Sequence, residues 1–599
     1  MNEITSTPKN LKILLQNNKY TIHYYQREYR WQAKHINELI EDLTSEFLNN
    51  YKPDHKRSEV ENYGTYFMGS IVIAKQNNAI IDGQQRFSSL TLLLMYLNNR
   101  LRQKGEGYDV LKPLIFSEKY GEKSFTINVP ERQICMETIF KGDEFSATNA
   151  EESVKNLWER YKDIRENFPE SITDEMILYF CDWLIEKVIF VEIVADTDQD
   201  AQKVFVTMND RGLNLTSTEM LKGYLLSEIT DDNTRESINF RWKETISDLK
   251  KDDDKGDEIF IKAWLRAQYA ADEEDSDMIG GAFHQWIRKE HERLKLKISS
   301  DYENFIEDFF RFTKIYCQIK NAEKNFDETT KYIYYNSQLM FTLQPQLLMA
   351  SICEDDTADI ITKKINLTAR FIDLLINSRV TQYRSVAQNI VKHYVFDVTL
   401  DIRRVSVDEL KNKLKDHYEK LNYNYLVLQS FGLNSFTKKY IKNILSRITG
   451  FIEEQTNVNS NYVEYMKPQG KNTFQIEHII CSDFEKFQSV FSGKEEFEIY
   501  RNSIGALLLF RGSINKSLSD KKYKIKRAKY GSNDGNIFTA SLVESTYDNN
   551  PQFKKFIEEN NLPFKPYSKF GKAEIKERIN LVIQLAKLIW NTKEFEFDE

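Results

Sequence analysis

"AIIDGQQRFSSLTLLLMYL" spans Ala79 to Leu97 and joins two kinds of structure without a loop between them. Ala79–Ile81 is an apolar run of strand type, whereas Leu90, Leu93, Leu94 and Leu97 recur at helical spacing. Asp82, Gly83, Gln84, Gln85 and Arg86 lie at the junction, more polar than a core helix needs in its first turn. A strand that ends in Asp-Gly and enters a helix directs its first unpaired N–H groups, and the positive end of the helix dipole, at one spot. That geometry suits anions, phosphate above all. Gly83 permits close approach of the backbone, Arg86 can clamp a phosphate through two N–H groups, and Gln84 and Gln85 add neutral donors. Asp82 can hold a divalent cation or orient a water molecule. The same spacing fits equally well a plain helix cap, with Asp82 at the N-terminus and Arg86 paired to it.

Upstream, "YFMGSIVIA" (Tyr66 to Ala74) reads as a buried strand and "QNN" as a turn, so a hairpin feeds a helix running from Gln84 to about Leu101. Earlier still, "YQREYRW" sets Arg27 and Arg30 beside Tyr25, Tyr29 and Trp31. Such a set binds phosphate and stacks a base, or else forms an ion-pair cluster. Downstream, "KVIFVEIV" (Lys187 to Val194) is a strand, and "MNDRGLNLT" places Asn209 and Arg211 at a helix break. The alternative for that break is a simple turn with Gly212 at positive φ. The helix restarts with Thr216 or Ser217 as N-cap and Glu219 in its first turn.

A chain of 599 residues is too long for one hydrophobic core and should divide into several domains. It is 41% hydrophobic, 13% aromatic and poor in Gly and Pro, which indicates a helix-rich globular protein. A net charge of −8 argues against coating nucleic acid through overall charge, though not against a local basic surface. Cys135, Cys181, Cys317, Cys353 and Cys481 form no CxxC pair, so a disulfide framework is not expected and a reducing cytoplasm is. No stretch has the length of a bilayer span, so no membrane partner is expected. The acidic stretches "KKDDDKGDE" and "ADEEDSDM" read as solvated loops around the amphipathic piece "IFIKAWLRAQY". From about Asp301 to Ile452 the pattern is almost wholly helical, and the chain closes on the helix "AEIKERINLVIQLAKLIW".

A second constellation lies near the C-terminus. "FQIEHIICSDF" reads as a short strand ending in Glu477-His478, and Asn515 follows later, running into Lys516, Lys521, Lys522, Lys524, Lys526, Arg527 and Lys529. Hydrolysis of a phosphodiester takes a general base, a divalent cation and positive charges that hold the backbone. His478 can be the base, Glu477 and Asn515 are hard oxygen ligands suited to Mg²⁺ or Mn²⁺, and the lysines suit DNA phosphates. Taken singly, the same residues read as a structural histidine and a solvated helix face.

In order, YQRxYxW, MGSIVI, a strand ending IDGQQR and FxxxNxRGxxL resemble the N-terminal domain of the GmrSD family of modification-dependent (type IV) restriction enzymes, over roughly residues 10–230. The resemblance implies a ParB/sulfiredoxin-like domain that binds and hydrolyses a nucleoside triphosphate (GTP, UTP or ATP). It places Asp82, Gly83, Gln84, Gln85, Arg86, Gln26, Arg27, Asn209 and Arg211 at the nucleotide, with Asp82 catalytic. No GxxxxGK[ST] loop occurs. The pattern [DE]-H-I-x-x followed by IGxLxLxxxxxNxxLSxxxxxxK is similar to the HNH (ββα-metal) nuclease domain at the C-terminus of the same family, over about residues 465–535. It implies His478 as general base, Glu477 and Asn515 on the metal side, and Lys524 or Lys526 as a phosphate contact, to which the lysine-rich run adds Lys516. Two positions depart from the family pattern. Cys481 stands where Pro is usual, and Ala506 where Asn is frequent, with either Asn502 as its replacement or none.

The expected architecture is α+β and predominantly helical. A ParB-like nucleotide domain fills residues 1–235, a helical linker or sensor residues 236–455, and an HNH-type nuclease domain residues 456–599. The expected function is an NTP-dependent endonuclease that senses modified phage double-stranded DNA, in a form compatible with a homo-oligomer. The alternative is a nucleotide-switched DNA-binding regulator or scaffold with an inactive HNH-like domain.

Overall fold

Alternation along Tyr66–Ala74 builds the first sheet on two unequal cores. Ile71 and Ile73 face a large core shared with Ile80 and Phe87, while Val72 and Ala74 meet Ala79, Ile81 and Ala195 in a small one on the opposite side. The computed structural model describes residues 4–596 apart from 23–28, 104, 106–109, 120–121, 149, 198–199, 202–203, 206–215, 469, 471, 519–520 and 532–535. The side chains of 117–119, 122–123 and 515–517 also lie outside that description. The chain forms two units, Met1–Asp248 with Ala282–Glu307, and Leu249–Gly281 with Asp308–Glu599. Among the described residues no helix is long and apolar enough to cross a membrane.

In the first unit a mixed sheet runs β1 (Thr5–Asn10), β8 (Val188–Ala195), β3 (Tyr66–Ala74), β4 (Ala79–Asp82), β2 (Tyr20–Ile22) and β7 (Ile127–Asn128) in spatial order. A separate pair, β5 (Phe116–Lys119) with β6 (Glu122–Phe125), lies outside it. β3 pairs parallel with β8 and antiparallel with β4, and its register shifts between Phe67 and Gly69. β4 passes directly into the helix Gln84–Gln103. Leu90, Leu93, Leu94 and Leu97 on that helix are essentially solvent-free. At roughly 1.5–3 kcal/mol for each buried leucine, this face anchors the helix regardless of its polar first turn.

In the second unit helices dominate. Asp373, buried on the helix Ala358–Thr381, accepts from both terminal nitrogens of Arg447 (2.8 and 3.2 Å), from Arg370 (3.0 Å) and from the Trp590 indole (3.3 Å). Two segments distant in sequence are thereby tied to a carboxylate of this helix, with both its oxygens satisfied. β9 (Phe474–His478) and β10 (Leu507–Arg511) form a two-stranded antiparallel pair, with His478 opposite Leu507 and Glu477 opposite Leu508. The helix Gly512–Leu518 follows β10 at once, giving the local order β, β, α. The closing helix Lys572–Ile589 presses on the turn before β10. Arg578 Nε donates to the Gly505 carbonyl at 3.1 Å, and a Cβ on Gly505 would fall 2.6 Å from the Ile575 carbonyl oxygen.

The α+β, mainly helical class agrees with the expectation. Of the two acidic stretches, residues 251–255 form an exposed loop as expected, but the residues that follow it and most of the second stretch are helical. Asp257 and Glu258 open the helix Gly256–Gln268, and Glu273, Glu274 and Asp275 open the helix Glu273–Lys289. Asp275 Oδ2 accepts the Ala271 N–H at 2.7 Å, and buried Asp257 pairs with Lys250 at 3.3 Å. The physical reason is that carboxylates favour the positive, donor-rich start of a helix.

Candidate functional site

Each unit carries one of the two constellations. In the first, β4 delivers Asp82 to the helix start and Gly83 makes the corner at φ +95°, where a Cβ would sit 2.7 Å from Ile71 Cγ2. Asp82 Oδ1 accepts the Gly83 N–H at 2.8 Å, and its Oδ2 lies 3.6 Å from Arg86. Burial raises the Asp82 pKa, opposed by the Arg86 guanidinium and the Gly83 N–H. Arg86 also donates to the Met68 carbonyl at 3.0 Å, a group presented where the β3 register shifts. Gln84 is buried, and Gln85 Oε1 accepts the Arg30 N–H at 3.0 Å. The Asp82–Arg86 pairing of the plain cap is therefore present, on the same residues as the strand-to-helix corner suited to an anion.

The aromatic-arginine segment divides in its roles. Tyr29 is buried and shares a 2.8 Å hydrogen bond with Ser89 on the Gln84–Gln103 helix, so it is a core peg rather than a base-stacking platform. Trp31 stacks on His35 with centroids 5.8 Å apart. Arg30 pairs with Glu219 at 3.3 Å. Glu219 simultaneously closes a capping box with Thr216, which is the N-cap of the helix Ser217–Ser227. Gln26, Arg27, Asn209 and Arg211 lie outside the described residues.

In the second unit, His478 ends β9 and its Nε2 lies 3.0 Å from Asn502 Oδ1, at the end of the helix Lys494–Asn502. Burial lowers the His478 pKa to about 4, with Arg501 and Lys526 adding to the shift and the Asn502 hydrogen bond opposing it. The imidazole is thus neutral near pH 7, as a proton acceptor must be.

Two expectations here need correction. Lys526 is not a phosphate contact in this arrangement, because its side chain is fully buried and its Nζ bonds Glu477 Oε1 at 2.6 Å and the His478 carbonyl at 2.7 Å. Glu477 is accordingly an ion-pair partner rather than an open metal ligand. Burial raises its pKa, and Lys526 opposes that shift. An ammonium bound to this carboxylate repels a second cation, so the described donors do not fit a divalent metal ion. Among the described residues no group of three or more His, Cys, Asp or Glu is placed to hold one. Asn515 and Lys516 ride on the helix Gly512–Leu518, with side chains outside the description. Lys524 is exposed on the helix Tyr523–Tyr530, alongside exposed Lys521 and Lys522 just before it.

The sequence held a signal for the buried lysine. Tyr523, Lys526 and Tyr530 are three and four residues apart, so Lys526 shares the aromatic, inward face of its helix. Arg501 and Glu498, neighbours of the His478–Asn502 contact, carried no such signal.

Two family models match the chain. The N-terminal domain of the GmrSD restriction endonuclease matches residues 11–226, and the C-terminal domain of GmrSD restriction endonucleases matches residues 428–584. No curated protein matches it.

Proposed function

The chain belongs to the GmrSD family of type IV restriction enzymes, and from that membership we propose an NTP-dependent endonuclease that senses modified DNA and cuts it at His478. The restriction-endonuclease role comes with the family, and DNA is the partner that role implies. The observation that carries the residue-level reading is the neutral, hydrogen-bonded His478 at the end of β9, on a strand pair followed at once by a helix. His478 takes a proton from water as the water oxygen bonds to phosphorus. The P–O bond to the leaving oxygen then breaks with its electron pair, and solvent protonates the alkoxide. Exposed Lys521, Lys522 and Lys524 hold the DNA backbone.

The first unit binds and hydrolyses the triphosphate. The Gly83 corner, the helix start and Arg86 receive the phosphates, and Asp82 orients the water. Nucleotide state then governs cutting, which keeps the nuclease quiet on unmodified DNA.

Cleavage of modified and plain phage DNA tests this reading, with each nucleotide present or absent and with Mg²⁺, Mn²⁺ or chelator. We expect cutting of modified DNA by the wild type and none by His478→Ala; equal cutting by both overturns the assignment. A second reading has one observation in its favour, the Glu477–Lys526 pair, which occupies the carboxylate that adjoins His478 on its strand. On that reading the chain is a nucleotide-switched DNA-binding regulator or scaffold, which binds modified DNA in the same assay without cutting it.

A further inference from the structure

The amide of Asn502 fixes where the proton sits on His478. Asn502 Nδ2 lies 3.0 Å from the Glu498 carbonyl oxygen and 3.3 Å from Glu498 Oε2. A carbonyl and a carboxylate both accept, so the NH₂ end of the amide must face them. Oδ1 is thereby turned to His478 Nε2 at 3.0 Å, and an acceptor at that distance requires Nε2 to carry the hydrogen. The lone pair is left on Nδ1. The main chain of Asn502 is itself held, since its carbonyl accepts the Leu433 N–H at 2.7 Å and the next residue, Ser503, bridges Gly432. The charged groups around the imidazole are Arg501 and Glu498 from the helix Lys494–Asn502, Lys526 from the helix Tyr523–Tyr530, and Glu477 on its own strand.

We propose that Asn502 is a positioning residue that holds His478 as its Nε2–H tautomer, so that Nδ1 is the nitrogen that takes the proton from the attacking water. The catalytic half of this statement rests on the nuclease reading above, whereas the tautomer stands on the hydrogen bonds alone. It assigns to the end of a helix in the connection between β9 and β10 the task of orienting the base. Ala506, which lacks a polar side chain, cannot perform it.

Two measurements on the full-length chain decide the matter. The first is solid-state ¹⁵N spectra of histidine-labelled protein, with His478→Ala identifying the signal by its loss. The second is the rate of cutting of modified DNA. The wild type should show a protonated Nε2 and a bare Nδ1. Asn502→Leu, of similar volume but without an acceptor, should mix the tautomers and slow cutting by about tenfold to a hundredfold, the usual cost of losing a group that orients a functional imidazole. A bare Nε2 in the wild type, or an unchanged tautomer and rate in Asn502→Leu, overturns the proposal. If His478→Ala cuts like the wild type, the nuclease reading and the catalytic half fall together, while the spectra still decide the tautomer.

Discussion

Asp82 serves the fold and the proposed chemistry with different atoms, which makes the two separable. Asp82→Asn keeps an oxygen for the Gly83 N–H and removes the charge facing Arg86. We expect thermal unfolding within a few degrees of the wild type and loss of nucleotide turnover; turnover at the wild-type rate would return Asp82 to a plain cap. Gly83→Ala acts oppositely, because an L-residue at φ +95° is strained and its methyl group meets Ile71. Urea unfolding should show a loss of about 2 kcal/mol or more. The lysines divide in the same way. Lys526→Met strands Glu477 as a buried charge and should cost about 3–5 kcal/mol, with part recovered in Lys526→Met/Glu477→Leu. Lys524→Ala should leave stability unchanged and reduce the salt dependence of DNA binding by about one unit of slope. These residues also show how far the sequence could be read. The DGQQR corner was legible because strand, glycine and helix adjoin in sequence. The burial of Lys526 was legible from its place between Tyr523 and Tyr530, but its partner Glu477 was hidden because the two lie far apart in sequence.

At the scale of elements, the helix Ser217–Ser227 starts at a capping box whose glutamate also holds Arg30. Thr216→Ala should therefore cost about 1 kcal/mol in urea unfolding, and Glu219→Gln should loosen Arg30 as well, seen as faster amide exchange at Arg30. A loss confined to the helix would show that the Arg30 link carries no weight. Local pattern sufficed where an element is stabilised by its own apolar face, as at Tyr66–Ala74, Ala79–Asp82 and Lys572–Ile589. It misleads at Glu273, Glu274 and Asp275 and at Asp257 and Glu258, where charge suggests a loop although the carboxylates sit in the first turn of a helix, while residues 251–255 are the exposed loop their charge indicates. Asn502 belongs to an intermediate class. The sequence offered it as a candidate, and the packing of residues 431–433 against the end of its helix brings it to His478.

For the whole molecule, the strand pair β9–β10 is too small to persist alone. It is held by groups that precede residue 456. The Ile504 N–H donates to the Phe431 carbonyl at 3.1 Å, the Tyr462 hydroxyl to Asn443 at 2.7 Å, and the Asn461 N–H to Glu453 at 2.9 Å. A fragment of residues 456–599 should lack a cooperative unfolding transition and near-ultraviolet dichroism, whereas the full chain shows both. A cooperative transition in the fragment would show that the unit folds without those groups. The dependence bears on how such a chain can be inherited. A crossover that brought in a foreign segment starting at residue 456 would import His478 without the framework that holds its strand and the Asn502 beside it. The β-β-α unit is thus not a portable cassette, and its lineage should travel with the helical stretch before it.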